Sequence, residues 1–102
     1  MKHLVLILVL ACAACGERAE PPVSVREHVE LMNAHAALLA QAGDLSGAIA
    51  LARRVVMLVE QELGPKDPNL AVACANLAGF LAAAGRGFEA DAWARRAEKA
   101  GR

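Results

Sequence analysis

The sequence predicts an all-α protein: two antiparallel helix-turn-helix hairpins behind a short apolar leader. Three observations carry this. Apolar residues recur at steps of three and four from Val25 to Ala100, the spacing that lines one face of a helix. Alanine is the commonest residue, aromatics are only 3%, and Tyr and Thr are absent, a composition that favours helix over sheet. Gly, Pro, Asp and Ser interrupt the apolar stripes where helices would start and stop. The 102 residues allow one small domain.

Ser24-Val25-Arg26-Glu27 fits a capping box, with Ser24 accepting from the amide three residues on and Glu27 reaching back. Val25, Val29, Met32, Ala36 and Leu39 then draw one stripe, widened by Leu31 and Leu38. Gly43 ends this first helix and Asp44 caps the next. The second helix places Leu45, Ala48, Ala52, Val55 and Val59 on one stripe. Ile49, Leu51, Val56 and Leu58 make it apolar on a second side, as expected of a helix with two neighbours. It stops at Leu63-Gly64-Pro65. Asp67-Pro68 reads as a cap followed by proline in the first turn. The third helix carries Leu70, Cys74, Leu77, Leu81 and Ala84, and Gly85 closes it. The fourth runs from about Phe88 to Ala100, with Phe88, Trp93, Ala94 and Ala97 as its thinner apolar content.

Before these helices, Lys2-His3, the run Leu4–Leu10 and the small residues Ala11–Cys15 form a basic start, an apolar core and a small-residue end. That is the pattern of a secretory signal peptide. Leu4 to Ala14 would cover about 16 Å as a helix at 1.5 Å per residue, too short for a bilayer core of about 30 Å. Ala13-Ala14-Cys15-Gly16 resembles the lipobox of bacterial lipoproteins. The resemblance implies cleavage of residues 1–14 and acylation of Cys15. Cys12 stands where that family prefers Leu, and Val9-Leu10-Ala11-Cys12 is a competing box, although it leaves a shorter signal. Gly16 in place of Asp after the cysteine implies an outer-membrane destination facing the periplasm. Residues 15–23 would then be the lipidated cysteine and a polar tether stiffened by Pro21-Pro22. Cys74 would be the one unmodified cysteine left, so the mature monomer forms no disulfide. Its setting on an apolar stripe reads as a small buried hydrophobe.

A shift of 42 residues overlays the chain on itself. Ala36 meets Ala78, Leu39 meets Leu81, Gly43 meets Gly85, Ala48 meets Ala90, and Arg53-Arg54 meets Arg95-Arg96. Leu63-Gly64, Pro65 to Pro68, Asn76-Leu77-Ala78, Gly85, Glu89-Ala90 and Arg96-Ala97 together resemble the 42-residue tetratricopeptide repeat of the kinesin light chain type. Residues 24–63 and 67–101 are the two copies. Departures are Gly47 where the family has Glu, Gly87 where an aromatic sits, and Val55 for alanine. Small residues at Ala36/Ala78 and Ala48/Ala90 suit close helix approach. Two repeats are fewer than the three or so that a stack needs, so self-association or a partner is expected to complete it.

The resemblance implies a concave face from the first helix of each copy: Glu30, Asn33, Ala37, Ala40 and Gln41, then Val72, Ala75, Asn76, Gly79 and Ala83. That face lacks the Lys and Arg with which such repeats take C-terminal carboxylates, and suits a protein or peptide segment bound through apolar contact. Eleven Lys+Arg balance eleven Asp+Glu, which removes the electrostatic reason to expect nucleic acid. No catalytic constellation or cofactor motif is present, and two serines and three histidines are a thin inventory for an enzyme. His28 and His35 lie seven apart near Glu27 and Glu30 but lack a third close ligand for a metal. Arg53-Arg54 and Arg95-Arg96 read as a solvated outer face, with a small anionic-lipid or phosphate patch as the alternative. The function expected is that of a lipid-anchored envelope adaptor for proteins; the alternative is a homo-oligomeric structural component.

Overall fold

The computed structural model describes residues 23–102. The expected signal peptide, Cys12 and Cys15, and nearly all of the expected tether lie outside the described residues. Within them the fold is all-helical: α1 (Val25–Gln41), α2 (Leu45–Glu62), α3 (Pro68–Ala83) and α4 (Gly87–Ala100).

The helix ends follow from their residues. Ser24 Oγ accepts from the Glu27 amide at 3.2 Å, and Asp44 Oδ1 accepts from the Gly47 amide at 2.8 Å. Glu27 makes no return bond to Ser24, so the capping box is half formed. Asp67 caps α3, with Pro68 in its first turn. Two of the helix stops are built alike. At the end of α1 the Asp44 amide donates to Leu39 O at 2.8 Å and the Gly43 amide to Ala40 O at 3.1 Å. At the end of α3 the Arg86 amide donates to Leu81 O at 2.9 Å and the Gly85 amide to Ala82 O at 3.0 Å. Each is a Schellman turn, and each needs a left-handed residue, supplied by Gly43 at φ 90° and Gly85 at φ 78°.

Each helix packs against its neighbours in the chain, and α1 also touches α3. The core follows from that order. The inner helices α2 and α3 contribute most of it, including Val55, Val56 and Val59 from one and Cys74, Leu77 and Leu81 from the other. The outer helices bury less: Val29 and Ala36 from α1, Ala90 from α4. The second apolar side expected of α2 is occupied by Ile49 and Val56, with Leu51 and Leu58 half-buried. All four small residues singled out by the 42-residue shift, Ala36, Ala48, Ala78 and Ala90, are buried.

Some expected core positions face solvent. Leu31 and Leu38 do not widen the buried stripe of α1; they are 62% and 63% exposed on the side of the helix turned away from α2 and α3. Phe88 is 88% exposed, because it sits in the first turn of α4 beside, not on, the face that carries Ala90, Trp93, Ala97 and Ala100 to the core. Ala94 is exposed too. A loose 3–4 spacing admits residues up to a third of a turn off the stripe, and these fall there.

Candidate protein-binding surface

The surface expected to bind a partner is carried by α1 and α3, and one buried carboxylate fixes these two helices together. Asp67, at the start of α3, accepts from the Asn69 amide at 2.9 Å and from Asn69 Nδ2 at 2.9 Å. Its other oxygen takes Arg26 of α1 at 2.7 Å. The Asn69 amide holds the Asp67 carboxyl below its ordinary range; burial opposes this and Arg26 reinforces it. The cap of one helix is therefore also the tie to another.

On this frame Glu30, Ala37 and Gln41 are exposed, and Asn33 and Ala40 are half-buried on α1. On α3, Val72, Ala75, Gly79 and Ala83 are exposed and Asn76 is half-buried. Each set forms one stripe, and the helices that bear them are in contact. The chemistry is apolar contact, amide hydrogen bonding from Asn33 and Asn76, and a single carboxylate at Glu30.

The other side of the molecule is polar and internally paired. Arg53 of α2 meets Glu89 of α4 at 3.1 Å, and Glu60 of α2 meets Arg96 of α4 at 2.7 Å. Arg86 adds two hydrogen bonds to Glu89, both at 2.9 Å, and is the main cause that holds the Glu89 carboxyl below its ordinary range. The Arg96 guanidinium also lies 5.0 Å from the centre of the Trp93 ring. The two arginine pairs are thus split: Arg53 and Arg96 are engaged across helices, while Arg54 and Arg95 are exposed and make no ion pair among the described residues. These cross-helix pairs and the Arg26–Asp67 tie escaped sequence reasoning, because residues 36 to 41 apart in sequence carry no periodic signal.

His28 and His35 are both exposed, and among the described residues no group of three His, Cys, Asp or Glu could hold a metal. Cys74 is fully buried and desolvation pushes its thiol pKa up, the reverse of what a nucleophile needs. Among the described residues no helix is long and apolar enough to cross a membrane. Compared with family models, curated proteins and solved structures, the chain matches none.

Proposed function

We propose that this chain is a small lipid-anchored envelope protein whose two tetratricopeptide-like hairpins form an adaptor surface for another protein. Residues 1–14 act as the export signal, Cys15 carries the lipid, and residues 16–23 hold the helical domain clear of the membrane. The partner lies along α1 and α3, against Asn33, Ala37, Val72, Ala75, Asn76 and Gly79. Its affinity comes from apolar burial, with Asn33 and Asn76 setting register. Anchoring raises the local concentration of domain and client on one surface.

The observation that carries the repeat half of this reading is the pair of matching Schellman turns at a 42-residue interval, combined with the direct α1–α3 contact. In repeat arrays each unit touches its neighbour in that way. The anchor half rests on the lipobox resemblance. Intact mass of the membrane-extracted protein tests it. A mass equal to residues 15–102 plus acyl chains, lost in Cys15→Ser, is expected; an unmodified full-length mass refutes the anchor. Photo-crosslinkers at Asn33 and Asn76 test the surface, and are expected to trap a protein that crosslinkers at Arg54 and Arg95 do not.

A further inference from the structure

The 42-residue register shows which faces of the molecule are built to be covered. On α3 the positions Leu70, Ala73 and Leu77 are buried, at 5%, 1% and 0% exposure, and Phe80 packs against the core. Counting back 42 residues, the same positions on α1 are His28, Leu31, His35 and Leu38. All four are exposed. On α3 this face belongs to the core, and α3 packs against both α2 and α4; among the described residues no helix precedes α1. The opposite end of the molecule differs. Ile49, Ala52 and Val56 of α2 are buried, and their counterparts on α4 are Asp91, Ala94 and Glu98, all exposed. The α4 end is finished with charge, like the terminal cap of a repeat array, whereas the α1 end keeps two leucines one heptad apart.

We propose that the Leu31/Leu38 face of α1 is a self-association surface and that its occupant is the same face of a second copy, packed antiparallel. A head-to-tail stack would have to seat these leucines on Asp91 and Glu98, so a face-to-face pair is the arrangement that one chain chemistry satisfies. In the antiparallel register that sets Leu31 against Leu38 of the partner copy, and the reverse, Ala34 and His35 flank the two-fold axis. The small Ala34 permits close approach. Glu27 then falls opposite Ala42, and Glu30 opposite Leu39, so no carboxylate faces a carboxylate. A parallel pair would oppose Glu27 to Glu27 and Glu30 to Glu30. One helix-on-helix contact buries less than the roughly 1,200 Å² of a standard interface, so the dimer is reversible and concentration-dependent. Asn33, Ala37 and the α3 stripe lie off this face and stay free for the proposed partner. This pairing rests on the 42-residue repeat reading and is independent of the lipid anchor and of the partner on α1 and α3.

The test uses the full chain expressed in a bacterial host with two affinity tags. A photo-crosslinker at Leu38 is expected to give a band at twice the monomer mass, with residue 38 joined to residue 31 of the other copy. Leu31→Glu/Leu38→Glu is expected to weaken co-purification of the two tagged forms by on the order of 100-fold. Leu31→Lys/Leu38→Glu, which makes two Lys–Glu pairs in the antiparallel register alone, is expected to restore it. Circular dichroism checks that both variants keep their helix content. Crosslinks only to another protein, or to residues 1–22 of the same chain, would overturn the proposal. So would a dimer that survives the Glu/Glu variant.

Discussion

Two glycines of this chain are expected to respond to alanine with opposite signs, and the difference comes from backbone geometry alone. Gly79 lies inside α3, is exposed, and a methyl group added there meets nothing within 4 Å. Gly85 ends the same helix, and a methyl there also meets nothing within 4 Å, but its φ is 78°. Sterics outside the residue are therefore equal. Gly79→Ala removes the conformational freedom of a mid-helix glycine and is expected to stabilise by about 0.5–1 kcal/mol. Gly85→Ala forces a Cβ into the left-handed region and is expected to destabilise by about 1–2 kcal/mol. For a domain of this size those changes move the thermal midpoint by roughly 4–8 °C per kcal/mol. Urea unfolding followed by circular dichroism would give both values, with the slope checked for constancy. If Gly79→Ala lowers the midpoint, the space above α3 is occupied in the folded protein. If Gly85→Ala leaves it unchanged, the Schellman turn is not what stops the helix.

Leu77→Ala empties a site with 0% exposure in the inner helix α3 and is expected to cost about 2–5 kcal/mol. A small domain has only about 5–15 kcal/mol in all, so urea melts should show a large fall in midpoint. Asp67 and Glu89 sit below their ordinary values of 3.8 and 4.5. Their contribution is full above those values and is lost as pH falls through the lowered folded pKa, so the urea midpoint should drop as pH falls below the ordinary carboxylate range, and less steeply in Asp67→Asn and Glu89→Gln; equal slopes would argue against it. Cys74 should resist a thiol reagent in the native protein and react once urea unfolds it; prompt native labelling would contradict its burial.

The helices and most of their ends were legible in the sequence because the signals are local. Ser24, Asp44 and Asp67 act within three residues of themselves, and Gly43 and Gly85 act within one turn. The buried alanines were legible through the 42-residue register, a long-range signal that repetition makes visible. The rest depends on which helix faces which. Leu31 and Leu38 have the composition of core residues and the right approximate spacing, yet nothing in α1 itself says which of its sides lacks a neighbour. The Arg26–Asp67 tie joins the first turn of α1 to the cap of α3, and neither residue stands out among the polar residues at helix starts. On the candidate surface, spacing could group Asn33 with Ala37, and Asn76 with Gly79; only the packing of α1 on α3 puts the two groups on touching helices.

The differences between the two halves related by the 42-residue shift have a physical reason, seen position by position. Gly47 and Glu89 are equivalent, as are Asp44 and Arg86. In the first copy Asp44 swings its carboxylate into the N-terminus of α2, and a Cβ at position 47 would collide with that carboxylate's Oδ2. Glycine there leaves the Asp44 carboxylate in its present rotamer, from which a side chain at position 47 would make it shift. In the second copy Arg86 has no oxygen to cap α4, and position 89 is free to carry a glutamate, which favours the positive end of the helix and collects both Arg86 and Arg53. The two copies thus solve the same helix start by different pairs, Asp with Gly and Arg with Glu. The pairs are not interchangeable one residue at a time. Gly47→Glu alone would make the Asp44 carboxylate shift and set a second carboxylate beside it, whereas Asp44→Arg/Gly47→Glu would transplant the second solution into the first copy. The double variant is expected to unfold at a urea midpoint closer to that of the natural chain than the single variant does. If the two effects simply add, positions 44 and 47 are uncoupled.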